Sequence, residues 1–292
     1  MNETQSMMYV SIFYSQNKWH ELINKFAFPF IEKYSDLFNY YLIRFSSEQG
    51  DNIRIIFNCK NRKLLESNFT NSFNLFIKTN PCVDEGEIDD PDALFMNFTV
   101  NNFYFDLFKI DQFKSGNNAN SLAYLSQIWA SQNIVSKLAR APIDDGSKLT
   151  FAIYQQHSLL KAMFIHDKKT LYELKRLLIS LTNKFATGQQ LKMDIQSKYI
   201  LFENRDEFER LSQLLLQKKA PKSEFSWLID FFKKVKDQVS KSGNVIDEMS
   251  ILSVSEGLFK QIDLTNEQMF TLTFLVNYDL ILDEAYLKAG RL

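Results

Sequence analysis

The spacing of apolar positions changes twice along the chain, and the changes mark out its elements. Met8–Ser15 (MYVSIFYS) is dense in β-branched and aromatic residues and predicts a strand. From Asn17 to Lys33 the period becomes helical, with Trp19, Leu22, Ile23, Phe26 and Phe30 recurring behind a capping asparagine. Pro29 is expected to kink or shorten that helix. Tyr40–Phe57 (YYLIRFSSEQGDNIRIIF) then sets two β-rich runs around SSEQGDN, a cluster of turn formers, and predicts an antiparallel hairpin. Lys60–Lys78 predicts a second helix. Leu94–Val100 and Phe103–Phe108, split by Asn101 and Asn102, predict a further strand pair. The order β-α-β-β-α-β, plus one strand, is the ferredoxin-like split pattern of helices laid on an antiparallel sheet, an α+β fold.

Past Ser115 strand signals give way to helical ones, predicted over Asn120–Arg140, about Leu149 to His166, Lys168–Ala186, Asp206–Lys218, Glu224–Ser240 and Asn266–Leu287. Pro142 to Gly146 separates the first two. The expected organisation is an α+β sheet portion, 1–115, and a mainly helical portion, 116–292, packed on the first as one unit. No internal repeat or low-complexity tract interrupts it.

Composition narrows the class. The chain has 292 residues, 45% of them hydrophobic, with 27 Phe and 12 Tyr, enough for a sizeable core. Eight glycines and five prolines are few, which favours long regular elements. With 34 basic and 35 acidic residues the formal charge is −1, so no global basic surface points to nucleic acid. Two cysteines, Cys59 and Cys82, are too sparse for a disulfide scaffold and fit a reducing, cytoplasmic setting. No run approaches the ~20 apolar residues of a membrane span, and the start lacks a signal-peptide pattern.

Catalytic motifs are absent: no G-x-S-x-G, no Gly-rich phosphate loop, no H-E-x-x-H, no C-x-x-C. His20, His157 and His166 fall in different predicted elements and read as ordinary helix residues rather than a metal triad. VDEGEIDDPD, from Val83 to Asp92, lacks the ligand spacing of a calcium loop and reads as a solvated insertion. Lys233, Lys234 and Lys236 read as the wet face of an amphipathic helix. The pointed feature is the hairpin, whose two strands each carry an arginine, Arg44 and Arg54. Two guanidiniums on adjacent strands can seat a carboxylate or phosphate in their donor forks. The ordinary alternative is a pair of surface arginines.

At these residues the chain resembles a known family. Trp19, its helix and YYLIRFSSEQGDNIRIIF look like the opening of the thiopeptide-type bacteriocin biosynthesis domain, the same domain as the C-terminal, glutamate-eliminating part of class I lantibiotic dehydratases. Members carry F-[IL]-R-Y, a turn, and H-[IL]-R-[IL]-R-F. Ile43-Arg44-Phe45 matches the first motif. In the second, Arg54 matches the first arginine, while Asn52 stands for the histidine and Ile56 for the second arginine. A second family motif, E-x-x-R-Y-G-G before a helix with H-x-D-S, aligns with FKIDQFKSGN (108–117) and a helix through Trp129-Ala130-Ser131. There Asp111 stands for the glutamate and Lys114 for the arginine. The family's C-terminal histidine has no counterpart in Asn266–Leu292.

The resemblance implies Arg44 and Arg54 as catalytic residues, with Asn52, Asp111 and Lys114 binding substrate, and no metal or cofactor. The implied reaction is elimination of glutamate from glutamylated Ser or Thr of a precursor peptide, or a related cycloaddition. A base must take the Cα proton, and cations must hold the enolate and the departing glutamate. With Asn52 in place of histidine, a tyrosine such as Tyr40 or Tyr41 is the candidate base. Implied partners are the precursor peptide and a separate glutamylating dehydratase, with a homodimer possible and no direct nucleic-acid contact. The alternative is a non-catalytic peptide-binding or split-dehydratase partner.

Overall fold

The structure, a computed structural model, describes residues 6–47, 49–83, 98–108, 122–164, 210, 225–241, 248–269 and 271–273. The chain forms two compact units: Met1–Lys148 with Lys260–Asp263, and Leu149–Phe259 with Leu264–Leu292.

The first unit is built on a four-stranded sheet of β1 (Ser6–Phe13), β2 (Phe38–Ser46), β3 (Asn52–Cys59) and β4 (Asn102–Phe105). Their order is β2-β3-β1-β4, and every neighbouring pair is antiparallel. Strand β1 is central, and from Met8 to Phe13 it is buried on both faces. The predicted strand pair at 94–108 differs. Only β4 forms among its described residues, pairing with β1, and Leu94 to Asn97 lie outside them. Asn101 is why the extended run stops short. Its φ is 63°, and its side chain bonds both the N–H (2.8 Å) and the C=O (2.7 Å) of Cys82. The side chain thereby holds a residue 19 positions away, while Asn101 N–H bonds the Phe13 carbonyl of β1 at 2.9 Å.

One sheet face explains the phenylalanine content. Phe45, Phe57, Phe103 and Phe105 meet α1 (Trp19–Leu22), α2 (Phe28–Lys33) and α3 (Arg62–Thr79) through ring contacts. Trp19 stacks on Phe45 at 5.0 Å, and Phe26 meets Phe69 and Phe73 edge-on at 5.2 and 5.3 Å. Phe73 meets Phe103 at 5.0 Å. Each such pair adds about 0.5–1.5 kcal/mol beyond area burial. Pro29 does not shorten its helical run, which continues to Lys33. Immediately before it the winding widens to a π turn, Ile23–Ala27, and Phe28 N–H bonds the Ile23 carbonyl. The wider turn absorbs the missing N–H and the ring bulk of the proline.

On the other face, Tyr9, Leu42 and Ile56 pack under Tyr124 and Ile128 of α4 (Leu122–Ser136). Strand β2 is an edge, and α4 covers it with a side chain: Ser131 Oγ accepts from Ile43 N–H at 2.9 Å. Arg62 ties three elements of the unit together. Its Nε bonds Glu66 (2.6 Å), Nη2 bonds Asp106 (2.6 Å) and Nη1 bonds the Met7 carbonyl (2.9 Å).

The second unit is helical in its described residues. The chain enters it along α5 (Asp145–Phe164), which starts behind an Asp144–Ser147 cap. Phe151 stacks on Trp227 at 5.2 Å, and α6 (Ser226–Lys241) buries Leu228, Phe231, Phe232 and Val235. Lys233 and Lys234 face water, as the amphipathic spacing predicts. A helix absent from the sequence reading, α7 (Glu248–Gln261), follows, and Gln156 Nε2 bonds Ser255 at 2.8 Å. The next helix opens with a reciprocal Thr265–Gln268 cap (2.9 and 3.2 Å) at the predicted start. No helix among the described residues is long and apolar enough to cross a membrane.

Candidate functional site

The hairpin register decides where the two arginines go. Arg44 pairs directly with Arg54, Arg54 pairs with Ser11 of β1, and Ser11 pairs with Tyr104 of β4. Residues opposite one another share a face, so Tyr104, Ser11, Arg54 and Arg44 form one polar rung across all four strands. The next rung toward the hairpin turn is Asn102, Phe13, Asn52 and Ser46. On the opposite side lies the apolar rung of Tyr9, Ile56 and Leu42 that α4 covers. The arginines therefore occupy the face and end of the sheet where its apolar packing changes to a polar strip.

Both arginines are half-buried. Arg54 is held on three sides. Its Nε donates to Asn52 Oδ1 at 3.0 Å, its Nη2 donates to Ser46 Oγ at 3.0 Å, and the Phe108 ring lies 4.0 Å from the guanidinium carbon. The Phe108 ring belongs to an aromatic group with Phe98, Tyr104 and Phe13. Asn52 is fully buried and donates its own amide to the Gly50 carbonyl at 2.8 Å. Its carbonyl oxygen thus fixes the plane of Arg54, so Asn52 orients the cation rather than exchanging protons.

Two positive charges meeting on one rung, at the 4.5–5.5 Å Cβ spacing of cross-strand pairs, create a local positive field. A half-buried setting strengthens that field relative to water. Such a pair suits an anion or an oxygen on which negative charge develops.

The tyrosine base expected from the sequence does not fit. Tyr41 faces the aromatic side, edge-on to Phe38 at 6.2 Å, and burial pushes its phenol up to about 12. Tyr40 lies on the α4 side and accepts from Tyr124 Oη at 2.5 Å. Burial, then that bond, raises the Tyr124 phenol far above its ordinary range. Neither tyrosine joins the arginine rung.

Asp111 and Lys114 lie outside the described residues, as does His166. His20 belongs to the first unit and His157 to the second. No group of three or more metal-ligating residues converges among the described residues. Ser11 and Tyr104 on the rung, and Ser46 and Phe108 against Arg54, are the contributors that sequence reading missed. Ser46 was visible only as a turn former, although its position two residues after Arg44 puts it on the same strand face.

Near the hairpin, Gln261 and Ser131 meet β2. Gln261 Nε2 lies 2.9 Å from the Ile43 carbonyl, 2.9 Å from the Gln127 carbonyl and 2.7 Å from Ser131 Oγ. Asp263 Oδ2 accepts from Ser47 N–H (2.9 Å) and Ser47 Oγ (2.8 Å).

No protein-family model and no curated protein matches the sequence. Solved structures do match in fold. "Pyridine synthase, TbtD, from thiomuracin biosynthesis" superposes with a TM-score of 0.69 at 11% identity, covering 94% of this chain and 97% of that one. TsrL superposes with a TM-score of 0.64 at 9% identity, covering 96% and 95%. The tRNA-dependent lantibiotic dehydratase MibB from Microbispora sp. 107891 gives a TM-score of 0.54 at 9% identity, covering 100% of this chain and 29% of that one. At such identities the likeness is one of fold, and over most of its length this chain is similar in fold to TbtD, to TsrL and to part of MibB.

Proposed function

We propose that this protein tailors a ribosomally made peptide of the lantibiotic or thiopeptide kind, with the Arg44–Arg54 rung seating negative charge. The observation that carries the reading is the direct pairing of the two arginines on one face of the sheet. The fold shared with a pyridine synthase and with part of a lantibiotic dehydratase supports that substrate class. The strand order β2-β3-β1-β4 supports a ferredoxin-like core carrying that rung.

The reaction proposed is removal of glutamate from a glutamylated Ser or Thr. The Cα proton goes to a base, its electron pair forms the Cα=Cβ bond, and the Cβ–O bond breaks as glutamate leaves with both electrons. Guanidiniums stay protonated, so Arg44 and Arg54 hold the enolate oxygen and the departing carboxylate and move no proton. Asp111 and Lys114 join them only through their register with the family motif. The likeness in fold to a pyridine synthase supports a related cycloaddition as the alternative reaction. A second reading, a non-catalytic partner that binds the precursor, is favoured by the way Asn52 and Ser46 already engage Arg54.

Mass spectrometry of a glutamylated precursor incubated with the protein separates these. Loss of glutamate, leaving a peptide one water lighter than the unmodified one, abolished in Arg44→Ala, supports elimination. Ring formation from an already dehydrated peptide supports cycloaddition. An unchanged peptide that co-purifies with the protein supports the binding partner, and absence of both turnover and binding refutes the peptide-tailoring reading.

A further inference from the structure

The chain returns to the first unit for four residues, Lys260–Asp263, between helices of the second. Two of those four carry side chains that grip strand β2 from its outer edge. Gln261 is fully buried and reaches the Ile43 carbonyl, while Ser131, also fully buried, takes the Ile43 N–H. An edge residue of the sheet thus has both main-chain groups bound by side chains where a further strand would otherwise bind them. Four residues along, Asp263 takes the N–H and hydroxyl of Ser47. Arg44, Phe45 and Ser46 lie between these two grips.

Two residues of that bracketed stretch feed the rung. Arg44 is one of its two cations. Ser46 accepts from the other, Arg54. Phe45, facing the opposite way, is fixed by its stack on Trp19. We infer that Lys260–Asp263 is a positioning strap: Gln261 and Asp263 set the place and twist of Arg44–Ser46, and through Ser46 the orientation of Arg54.

Two details support a positioning role. Gln261 Oε1 is buried without a hydrogen-bond partner, an unfavourable state that an apolar side chain of similar size would avoid. The amide is therefore present for what its Nε2 does, which is to join β2 to the Gln127 and Ser131 turn of α4. Asp263 adopts a left-handed backbone, φ 57°, unfavourable for most residues and tolerated by Asp. That conformation turns the chain just where the carboxylate meets the end of the hairpin. Their bonds end on Ile43 and Ser47, so both act through the strand.

The role assigned to the rung rests on the peptide-tailoring reading, but the strap can be tested without turnover. The probe is the pair of side-chain Nε–H resonances of Arg44 and Arg54 in the nitrogen-15-labelled full chain, identified by their loss in Arg44→Lys and Arg54→Lys. Gln261→Leu and Asp263→Ala are expected to move or broaden both resonances, and hydrogen exchange at Ser47 N–H is expected to rise at least tenfold in Asp263→Ala. Asp263→Asn keeps an acceptor oxygen at the same place and is expected to restore the wild-type positions. Arg62→Ala, which weakens the same unit elsewhere, is expected to leave them in place, separating positioning from general loosening. Wild-type resonances in Asp263→Ala, the less buried and less disruptive of the two changes, overturn the inference whether or not Gln261→Leu folds. Equal movement in Arg62→Ala overturns it too. If wild-type protein shows no activity on any precursor, the tailoring reading fails while these spectra still decide the strap.

Discussion

Arg54→Ala measures whether the guanidinium is a held element of the sheet or a solvated surface charge. The change removes a charged hydrogen bond to Asn52, another to Ser46 and the contact with the Phe108 ring. Hydrogen bonds to charged groups are worth about 1.5–3 kcal/mol, discounted here because Arg54 is only half-buried. The ring contact adds about 0.5–1 kcal/mol. The partners recover unequally. Ser46 Oγ, the acceptor in its bond, keeps its own proton to donate elsewhere, whereas the carbonyl oxygen of the fully buried Asn52 loses the Arg54 donor, a penalty of about 1–3 kcal/mol. These contributions overlap, and the expected net loss is about 2–4 kcal/mol.

The assay is urea unfolding followed by far-ultraviolet circular dichroism. With slopes of about 1–3 kcal/mol per molar urea, the midpoint should fall by about 1–2 M with the slope unchanged. Arg54→Lys restores the charge but cannot present Nε and Nη2 donors in a fixed fork, so it should recover less than half of the loss. Asn52→Ala combined with Arg54→Ala should show a coupling of about 1 kcal/mol. A loss within about 0.5 kcal/mol for Arg54→Ala, the size seen for surface substitutions, refutes the held geometry and returns Arg54 to the status of a surface arginine.

Other outcomes follow from the same packing. Arg62→Lys keeps a cation but loses the simultaneous contacts to Glu66, Asp106 and the Met7 carbonyl, and should destabilise by about 1–2 kcal/mol in thermal melts; an unchanged midpoint would count against the three-way tie. Phe26→Ala, in the ring cluster with Phe69 and Phe73, should lower stability by about 3–5 kcal/mol, whereas Leu75→Ala, 68% exposed on α3, should stay within about 0.5 kcal/mol. Burial, and then nearby charge, pushes the Tyr14 phenol from 10 up to about 12, and burial does the same for Tyr41. The folded state then keeps protons that the unfolded chain releases, so stability is intact below pH 10 and falls as pH rises from 10 to 12. The slope is at most about 1.4 kcal/mol per pH unit for each tyrosine; phenolate absorbance showing both groups titrating near 10 would remove the effect.

Local pattern was enough for the sheet because its strands write their own boundaries. The β-branched runs of β1, β2 and β3 are each closed by turn formers, and the helical period of Arg62–Thr79 is unbroken. The hairpin register then placed Arg44 opposite Arg54, which alternation alone left open because a one-residue slip would have put them on opposite faces. What was not legible depends on contacts far apart in sequence. Helix α7 carries Ile251, Val254 and Leu258 at helical spacing, but Gly257, Val254 and three serines weaken its intrinsic preference, and its form comes from packing. Gln261 and Asp263 reach partners 218 and 216 residues away, and no local signal marks either. Pro29 read as a helix breaker because the π turn that accommodates it leaves no compositional trace.

Asparagine at position 52, where the motif that the hairpin resembles has histidine, bears on the proposed chemistry through geometry as well as basicity. In its buried setting the Asn52 carbonyl oxygen accepts from Arg54 Nε while its amide donates to Gly50, so one side chain links the turn to the cation. An imidazole has one donor and one acceptor nitrogen on a rigid ring, and could make both bonds only if turn and guanidinium happened to lie in its plane. A flexible amide meets the two directions separately. Asn52 is therefore a group that fixes a charge and not one able to take a proton. Whatever takes the Cα proton in the proposed reaction must come from outside the Asn52–Arg54 pair, and the rung itself contributes by electrostatics. Catalysis of that kind depends on preorganisation, because a dipole or charge already aimed at the developing oxyanion needs no rearrangement as the bond breaks. Asn52, Ser46 and Phe108 meet that requirement for Arg54, and the grips at Ile43 and Ser47 meet it for the strand that carries Arg44.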